Sequence, residues 1–304
     1  METRLGARWH AALFTVLALL SPLALVTRAQ ASPTPPQPLT IEGATAYEYK
    51  AVHGGPLRLH VFKAEGTAAG SARPAIVFFF GGNWTRGSVT QFVPQAKYLA
   101  QRGMVAAVAD YRVFDRHGTS PFEAMADAKS AVRWLRTHAR ELDIDPQRIV
   151  AAGGSSGGHI ALTAAVFDQF DERTEDLSVS SRPNALVLFN PAVDTTHSKP
   201  DVWKERFGER GREASPAHHA LTSLPPTLIL HGRNDALVPF VDVERYCAHA
   251  AQSGRACKLV AYEGAAHGFF NPENKQGQWY RETLQEMDQF LVGLGYLPPP
   301  APGR

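Results

Sequence analysis

Two serines in a glycine-rich segment are the residues of this sequence best suited to nucleophilic chemistry. Residues 153–159 read GGSSGGH and follow the apolar run 148–152. A serine at the top of a tight strand-to-helix turn needs small neighbours, because its backbone is strained and other chains pass close to it. The pattern G-x-S-x-G fits twice, centred on Ser155 or on Ser156. We favour Ser155, because Ser156 would then open the helix and present its N–H to an oxyanion.

A serine hydroxyl is a weak nucleophile unless a base removes its proton, so a histidine is required at another strand end. His267 satisfies this requirement, because it follows the apolar run 258–262 after a short turn and is next to a glycine. The other histidines lack that placement. We interpret His159 and His231 as packing or hydrogen-bonding residues.

The third member of such a site is a carboxylate that orients the imidazole and faces its charged form. Asp235 lies just beyond the apolar run 227–230 and is the favoured acid. Asp194, which follows the preceding strand, is the rival. The glycine-rich segment carries no lysine after its glycines, so a nucleotide-binding loop is disfavoured.

An oxyanion needs hydrogen-bond donors, and a glycine-rich turn after an early strand can supply them. Residues 80–84 read FGGNW and follow the apolar run 75–79. The backbone N–H groups of Gly82 and Asn83, with that of Ser156, are the predicted oxyanion hole.

Three further residues near these strand ends are candidates for substrate binding: Trp84, Asn190 and Phe269. Trp84 would form a wall of the acyl or leaving-group pocket. The competing interpretation of Trp84 is an aromatic that packs at the surface.

The elements that position these residues are short apolar runs alternating with helical segments. Runs near 44–52 and 57–63, separated by HGGP, predict an opening antiparallel hairpin. Later strands are predicted at 75–80, 104–109, 148–152, 185–189, 227–230 and 258–262, and helices at 94–101, 121–140, 241–253 and 276–292. This alternation predicts an α/β fold with a mostly parallel sheet and helices on both faces. Reactive groups collect at the carboxyl ends of such strands.

The first 31 residues read as a signal peptide, with early arginines, the apolar run 11–26 and Ala-Gln-Ala before Ser32. An uncleaved membrane anchor is the alternative. We predict a proline-rich linker at 32–38, a catalytic domain at 39–296 with a short cap near 191–224, and a tail at 297–304. A secreted or periplasmic protein follows, with no membrane association after cleavage.

The formal net charge is only +2, and cleavage would remove three arginines and one glutamate, leaving a mature chain without net charge. Nucleic acid is therefore excluded as an expected partner. Two cysteines are too few for a zinc cluster or a disulfide-built scaffold. In an oxidising compartment Cys247 and Cys257 are expected to form a disulfide, the alternative being two buried thiols.

Taken together, these segments resemble those of α/β-hydrolase-fold serine esterases, near the hormone-sensitive-lipase-like and acetyl xylan or feruloyl esterases. The resemblance covers most of residues 40–295 and rests on GGSSGGH at 153–159, HGRNDALVP at 231–239 and GAAHGF at 264–269. The order Ser, Asp, His along the chain is also that of α/β-hydrolases. One departure is Phe80, which replaces the usual histidine of the oxyanion loop; Asn83 replaces its third glycine.

The resemblance implies a serine carboxylic-ester hydrolase that works through an acyl-enzyme and needs no metal or organic cofactor. Its substrate would be a small-molecule or polysaccharide ester, such as acetylated or feruloylated carbohydrate. A peptidase resembling prolyl oligopeptidases is an alternative, although the chain has no room for their propeller. A non-catalytic binding protein on the same fold is the other.

Overall fold

An eight-stranded sheet lies at the centre of the computed structural model, which describes residues 35–63, 71–196 and 202–299. These residues fall within one compact unit, Thr34–Arg304. The predicted signal peptide lies outside the described residues, as do the start of the linker and the end of the tail. The strands are β1 (Thr45–Lys50), β2 (Leu57–Phe62), β3 (Arg73–Phe79), β4 (Val105–Ala109), β5 (Ile144–Gly154), β6 (Ala185–Phe189), β7 (Thr227–Gly232) and β8 (Cys257–Tyr262).

The order of strands across the sheet is β1-β2-β4-β3-β5-β6-β7-β8. The first two strands form the predicted antiparallel hairpin, with Thr45 opposite Val61, and β2 is antiparallel to β4. All neighbours from β4 to β8 are parallel. The predicted α/β fold is confirmed, and the carboxyl ends of β3, β5, β7 and β8 lie at one edge of the sheet.

The helices that connect the strands are α1 (Val93–Gln101), α2 (Phe114–His117), α3 (Pro121–Thr137), α4 (Ser156–Val166), α5 (Val202–Phe207), α6 (Phe240–Gln252) and α7 (Gln278–Gly293). The predicted start of α3 is confirmed: Ser120 Oγ accepts from Phe122 N–H, and Glu123 Oε2 accepts from Ser120 N–H. Within the described ranges, no helix is long and apolar enough to cross a bilayer.

The interior strands are buried along their length because layers of side chains cover both faces. Every residue of β4, β6 and β7 is buried. Their alanine, valine, leucine and isoleucine side chains suit a parallel sheet without a solvent face. The sheet therefore holds the loops at its carboxyl edge on a rigid support.

The predicted cap joins β6 to β7 and packs onto the loop that follows β3. Its residues 197–201 lie outside the described part of the chain. Trp203 and Phe207 are buried and make edge contacts with Trp84, at centroid distances of 6.1 and 4.9 Å. His159 approaches the same indole edge-on at 5.1 Å. We call these four residues the aromatic cluster.

Cys247 on α6 and Cys257 at the start of β8 form a disulfide, with their Cα atoms 5.3 Å apart. The predicted pairing is confirmed. The bond fixes the beginning of the edge strand β8 to the helix that precedes it.

Part of the predicted linker packs on the domain. Gln37 Nε2 donates to the carbonyl oxygen of Gly87 at 3.0 Å, and Gln37 Oε1 accepts from Val89 N–H at 3.1 Å. Gln37, within the predicted linker at 32–38, is therefore attached to the loop that follows β3.

Candidate active site

Ser155 lies at the turn between β5 and α4 with φ 55° and ψ −120°, an unusual backbone for a residue with a side chain. The surrounding glycines make this turn possible. A Cβ at Gly157 would lie 2.1 Å from the carbonyl oxygen of Phe79, and one at Gly153 would lie 2.6 Å from the backbone of Gly157. The packing therefore leaves no room for larger residues around Ser155.

The structure distinguishes clearly between the two candidate serines. Ser155 is half-buried, and its Oγ lies 3.0 Å from Nε2 of His267. Ser156 is the first residue of α4 and is 1% exposed. Of the two candidate serines, it is Ser155 whose hydroxyl contacts His267.

His267 connects Ser155 to Asp235, as the sequence predicted. Its Nδ1 lies 2.7 Å from Asp235 Oδ2, after β7, while Nε2 faces the serine. Asp235 Oδ1 accepts the N–H groups of Leu237 and Val238, each at 2.9 Å. Burial alone would raise the pKa of Asp235, but hydrogen bonds from His231 and His267 hold it well below its usual range. The carboxylate is thus charged and faces the imidazole.

His231 is fully buried behind Asp235. Its Nε2 lies 3.0 Å from the carbonyl oxygen of Val238 and 3.4 Å from Asp235 Oδ2. This position agrees with the predicted hydrogen-bonding role. It places a second imidazole behind the acid.

The rival acid, Asp194, belongs to a different group of side chains. Its Oδ1 accepts from the N–H and hydroxyl of Thr196 at 2.8 and 2.6 Å, and from Ser215 Oγ at 3.3 Å. It is Asp235 that accepts the hydrogen bond from His267 Nδ1.

The loop after β3 passes close to Ser155, since a Cβ on Gly81 would lie 3.3 Å from Cβ of Ser155. Gly82, Asn83 and Trp84 have φ values of 142°, 57° and 55°, which turn the chain sharply. A Cβ on Gly82 would overlap the carbonyl oxygen of Arg86 at 1.9 Å, so only glycine fits. Among the described residues, no acceptor is bonded to the backbone N–H of Gly82, Asn83 or Ser156. These are the three N–H groups that the sequence predicts as donors to an oxyanion.

Phe80, the departure noted in the sequence, supports this loop by stacking. Its ring lies on Tyr111, with centroids 4.2 Å apart and an interplanar angle of 19°. The Tyr111 hydroxyl donates to the carbonyl oxygen of Phe80 at 2.7 Å. Aromatic packing and one buried hydrogen bond therefore hold the start of the loop.

The three predicted substrate-binding side chains are buried. Trp84 is 2% exposed within the aromatic cluster, and Phe269 packs among the rings of Tyr262 and Trp279. Asn190 is fully buried, and its Oδ1 accepts the N–H of Gly268 at 3.1 Å. These three side chains therefore pack behind the site. A position at the end of a strand does not by itself reveal which way a side chain points.

Sequence reasoning missed Gln91 and Asn271. Gln91 lies on a single helical turn, Val89–Phe92, and its Oε1 accepts from Gly81 N–H at 2.7 Å. Its Nε2 donates to Asn271 Oδ1 at 3.2 Å. Neither residue belongs to a recognisable motif, so no sequence signal marked them.

Among the described residues, no three His, Cys, Asp or Glu side chains are grouped to hold a metal ion.

Two known protein families match segments of the chain. Residues 61–246, more than half of the chain, match the BD-FAE family. The chain belongs to the BD-FAE family. Residues 205–291 of this BD-FAE member also match the dienelactone hydrolase family.

Solved esterase structures share the fold. Esterase 2 of Thermogutta terrifontis, phosphoramylated by tabun, is 44% identical with a TM-score of 0.82, over 86% of this chain and 98% of that chain. The propionate-bound form of a thermophilic esterase from the same organism is 43% identical with a TM-score of 0.81, over 86% and 97%. The resemblance to α/β-hydrolase-fold esterases is confirmed.

Curated relatives are also named as ester hydrolases. The acetylxylan esterase of Xylanibacter ruminicola is 26% identical over 72% of this chain and 45% of that protein. The probable carboxylic ester hydrolase LipM of Mycobacterium tuberculosis is 30% identical over 55% and 42%. The chain spans about half the length of the curated relatives it matches.

Proposed function

We propose that this protein is a serine carboxylic-ester hydrolase in which Ser155 is the nucleophile, His267 the base and Asp235 the orienting acid. The observation that carries the proposal is the unbroken series of hydrogen bonds from Asp235 through His267 to Ser155, 2.7 and 3.0 Å long. The esterase names of the relatives and of the solved structures support the same reaction class.

The first half of the reaction forms an acyl-enzyme. Ser155 Oγ attacks the ester carbonyl carbon while its proton passes to His267 Nε2. The carbonyl oxygen becomes an oxyanion that accepts hydrogen bonds from the free N–H groups after β3 and at the start of α4. When the intermediate collapses, the C–O bond to the alcohol breaks and His267 returns the proton to the leaving oxygen.

The second half repeats these steps with water. His267 takes a proton from a water molecule while the water oxygen attacks the acyl carbon. The bond between that carbon and Ser155 Oγ then breaks, and His267 returns the proton to Oγ. Asp235 remains ionised throughout, because its hydrogen bonds favour the charged carboxylate. It keeps the proton of the imidazole on Nδ1, so that Nε2 is free to act as base.

We propose that the alcohol part of the substrate is hydroxylated, as in acetylated or feruloylated carbohydrate. A cavity of about 430 Å³ lies beside Gly81, which itself lies against Ser155. Its lining includes the polar side chains of Ser88, Thr90, Gln91, Asn271 and Glu273. A polar wall of this kind suits a hydroxylated leaving group better than a hydrocarbon. One relative is named an acetylxylan esterase, which agrees with this substrate class.

We also propose export to an oxidising compartment. The n-region and apolar run of residues 1–31 have the composition of a signal peptide. The Cys247–Cys257 disulfide supports this, since such bonds persist outside the reducing cytosol. Recovery of the chain beginning at Ser32 from the extracytoplasmic fraction would test it, and an intact N-terminus in that fraction would contradict cleavage.

Hydrolysis of p-nitrophenyl acetate by the wild type, Ser155→Ala and Ser156→Ala tests the reaction. We expect Ser155→Ala to lose about 10⁶ in kcat, and Ser156→Ala to keep most activity because its backbone N–H remains. Equal activity of wild type and Ser155→Ala would overturn the proposal. Loss of activity in Ser156→Ala alone would identify Ser156 as the nucleophile.

Substrate class is tested by comparing acetylxylan, methyl ferulate, p-nitrophenyl decanoate and a peptide p-nitroanilide. The highest kcat/KM on acetylxylan or methyl ferulate is expected. Preference for the decanoate would contradict the carbohydrate proposal, and cleavage of the anilide alone would indicate a peptidase.

A further inference from the structure

A single side-chain amide joins the loop after β3 to the loop that carries His267. Gln91 Oε1 accepts from Gly81 N–H at 2.7 Å, and Gln91 Nε2 donates to Asn271 Oδ1 at 3.2 Å. We call this pair of hydrogen bonds the Gln91 bridge. We infer that Gln91 is a positioning residue that holds the oxyanion donors and the base at their working separation. The inference rests on the proposed ester hydrolysis.

The first end of the Gln91 bridge fixes a loop whose backbone is strained. Asn83 and Trp84, which follow Gly82, both have positive φ values, and such a backbone persists only where its surroundings hold it. The loop also touches the nucleophile: a Cβ on Gly81 would lie 3.3 Å from Cβ of Ser155. Any shift of Gly81 therefore changes the distance from the oxyanion donors to the reacting carbonyl.

The second end is attached to a fixed turn. Asn271 N–H donates to the carbonyl oxygen of Gly268 at 3.1 Å, and Asn274 Nδ2 donates to the same oxygen at 2.6 Å. Gly268 follows His267 directly, and its own N–H is bonded to the buried side chain of Asn190. The bridge thus links the oxyanion loop to the turn that sets the position of the imidazole.

An amide suits this position for two reasons. It accepts through one atom and donates through the other, as the two partners require. It is also neutral, so it places no charge beside a forming oxyanion. Gln91 is half-buried at the edge of the 430 Å³ cavity, so its replacement opens no void in the core. Loss of activity and loss of stability can therefore be separated.

The Gln91→Met variant fills the same space without hydrogen bonds. We expect kcat on p-nitrophenyl acetate to fall about 10- to 100-fold, the effect of a small misplacement in an active site, while KM changes less than twofold. Gln101→Met, at the exposed end of α1, is the matched control and should keep wild-type kcat. Thermal unfolding of each variant measures whether the fold is retained.

The Gln91→Glu variant tests the positioning role through the pH dependence of kcat, which a purely structural role would leave unchanged. A protonated carboxyl can accept from Gly81 and donate to Asn271, whereas an ionised one loses the donor and brings negative charge to the oxyanion. The ratio of variant to wild-type kcat should therefore rise as pH falls below about 5, near the ordinary carboxyl range.

The outcomes separate cleanly. A wild-type kcat for Gln91→Met, or a Gln91→Glu ratio that does not change with pH, would overturn the inference while leaving the proposed function intact. Equal hydrolysis by wild type and Ser155→Ala would instead remove the proposed function. If Gln91→Met does not fold, the pH dependence of Gln91→Glu decides.

Discussion

His159 should make the protein sensitive to mild acid. It lies on α4, one turn beyond Ser155, and is fully buried in the aromatic cluster. Its Nε2 donates to the carbonyl oxygen of Ala214 in the cap at 2.8 Å. Burial lowers the pKa of His159 to about 4, although its hydrogen bond to the Ala214 carbonyl favours the charged form. The folded protein therefore keeps this imidazole neutral where the unfolded chain would protonate it.

The size of the effect follows from the two pKa values. Unfolded histidine titrates near 6.5, so between about pH 6.5 and 4 the unfolded state binds a proton that the folded state does not. The free energy of unfolding must then rise with pH across this window and fall on acidification. A difference of about 2.5 pKa units corresponds to about 3 kcal/mol, of which about 2.5 kcal/mol is already lost at pH 4.5.

Urea unfolding at pH 7.0, 5.5 and 4.5 measures this loss. His159→Gln removes the titrating group, so its free energy of unfolding should fall by about 2.5 kcal/mol less than that of the wild type between pH 7.0 and 4.5. His53→Gln, at an exposed position, serves as control and should follow the wild type. Parallel curves for His159→Gln and wild type would refute the reasoning.

Three further predictions concern the acid Asp235, the packing at two glycines and the disulfide. Asp235→Asn should lower kcat by about 10⁴, because an amide favours the wrong imidazole tautomer, and steady-state kinetics on p-nitrophenyl acetate measures the loss. Gly157→Ala should destabilise the protein by more than about 3 kcal/mol, since its Cβ would meet a carbonyl oxygen of β3 at 2.1 Å. Gly293→Ala, in open space on α7, should instead stabilise the protein by about 0.5–1 kcal/mol. Chemical denaturation measures the free energy of unfolding of both variants, and equal effects would contradict the packing argument. Breaking the Cys247–Cys257 bond with a double serine variant should cost about 2–3 kcal/mol, the entropy of a loop with sequence separation 10, and unchanged unfolding would show that the bond adds no stability.

The strand ends and the Ser155, Asp235 and His267 positions could be predicted because each depends on local sequence. An apolar run followed by small residues determines a buried strand and a tight turn, and parallel strands bring their carboxyl ends together. Three such turns carrying complementary side chains were enough to predict which residues meet. The α/β fold followed from the same alternation.

The remaining parts of the site depend on packing between distant segments. Gln91 and Asn271 are 180 residues apart and meet only in the folded chain. Trp84 and Asn190 have side chains that commonly bind ligands, yet the cap and the His267 loop bury them. Such contacts leave no periodic pattern in the sequence. Strand β5 likewise begins earlier than predicted, at Ile144, which pairs with Arg73 across a register shift.

Strand β8 is both the last strand in the chain and an edge of the sheet, and this position determines when during synthesis the site can be completed. His267 follows β8 and is synthesised 112 residues after Ser155, which a ribosome takes about 6 to 22 s to add. In the proposed mechanism, Ser155 therefore has no base until β8 pairs with β7, even when its own strand and helix are already folded. By that mechanism, a nascent chain would not hydrolyse esters before β8 is added to the sheet. Activity would begin only when β8 pairs with β7.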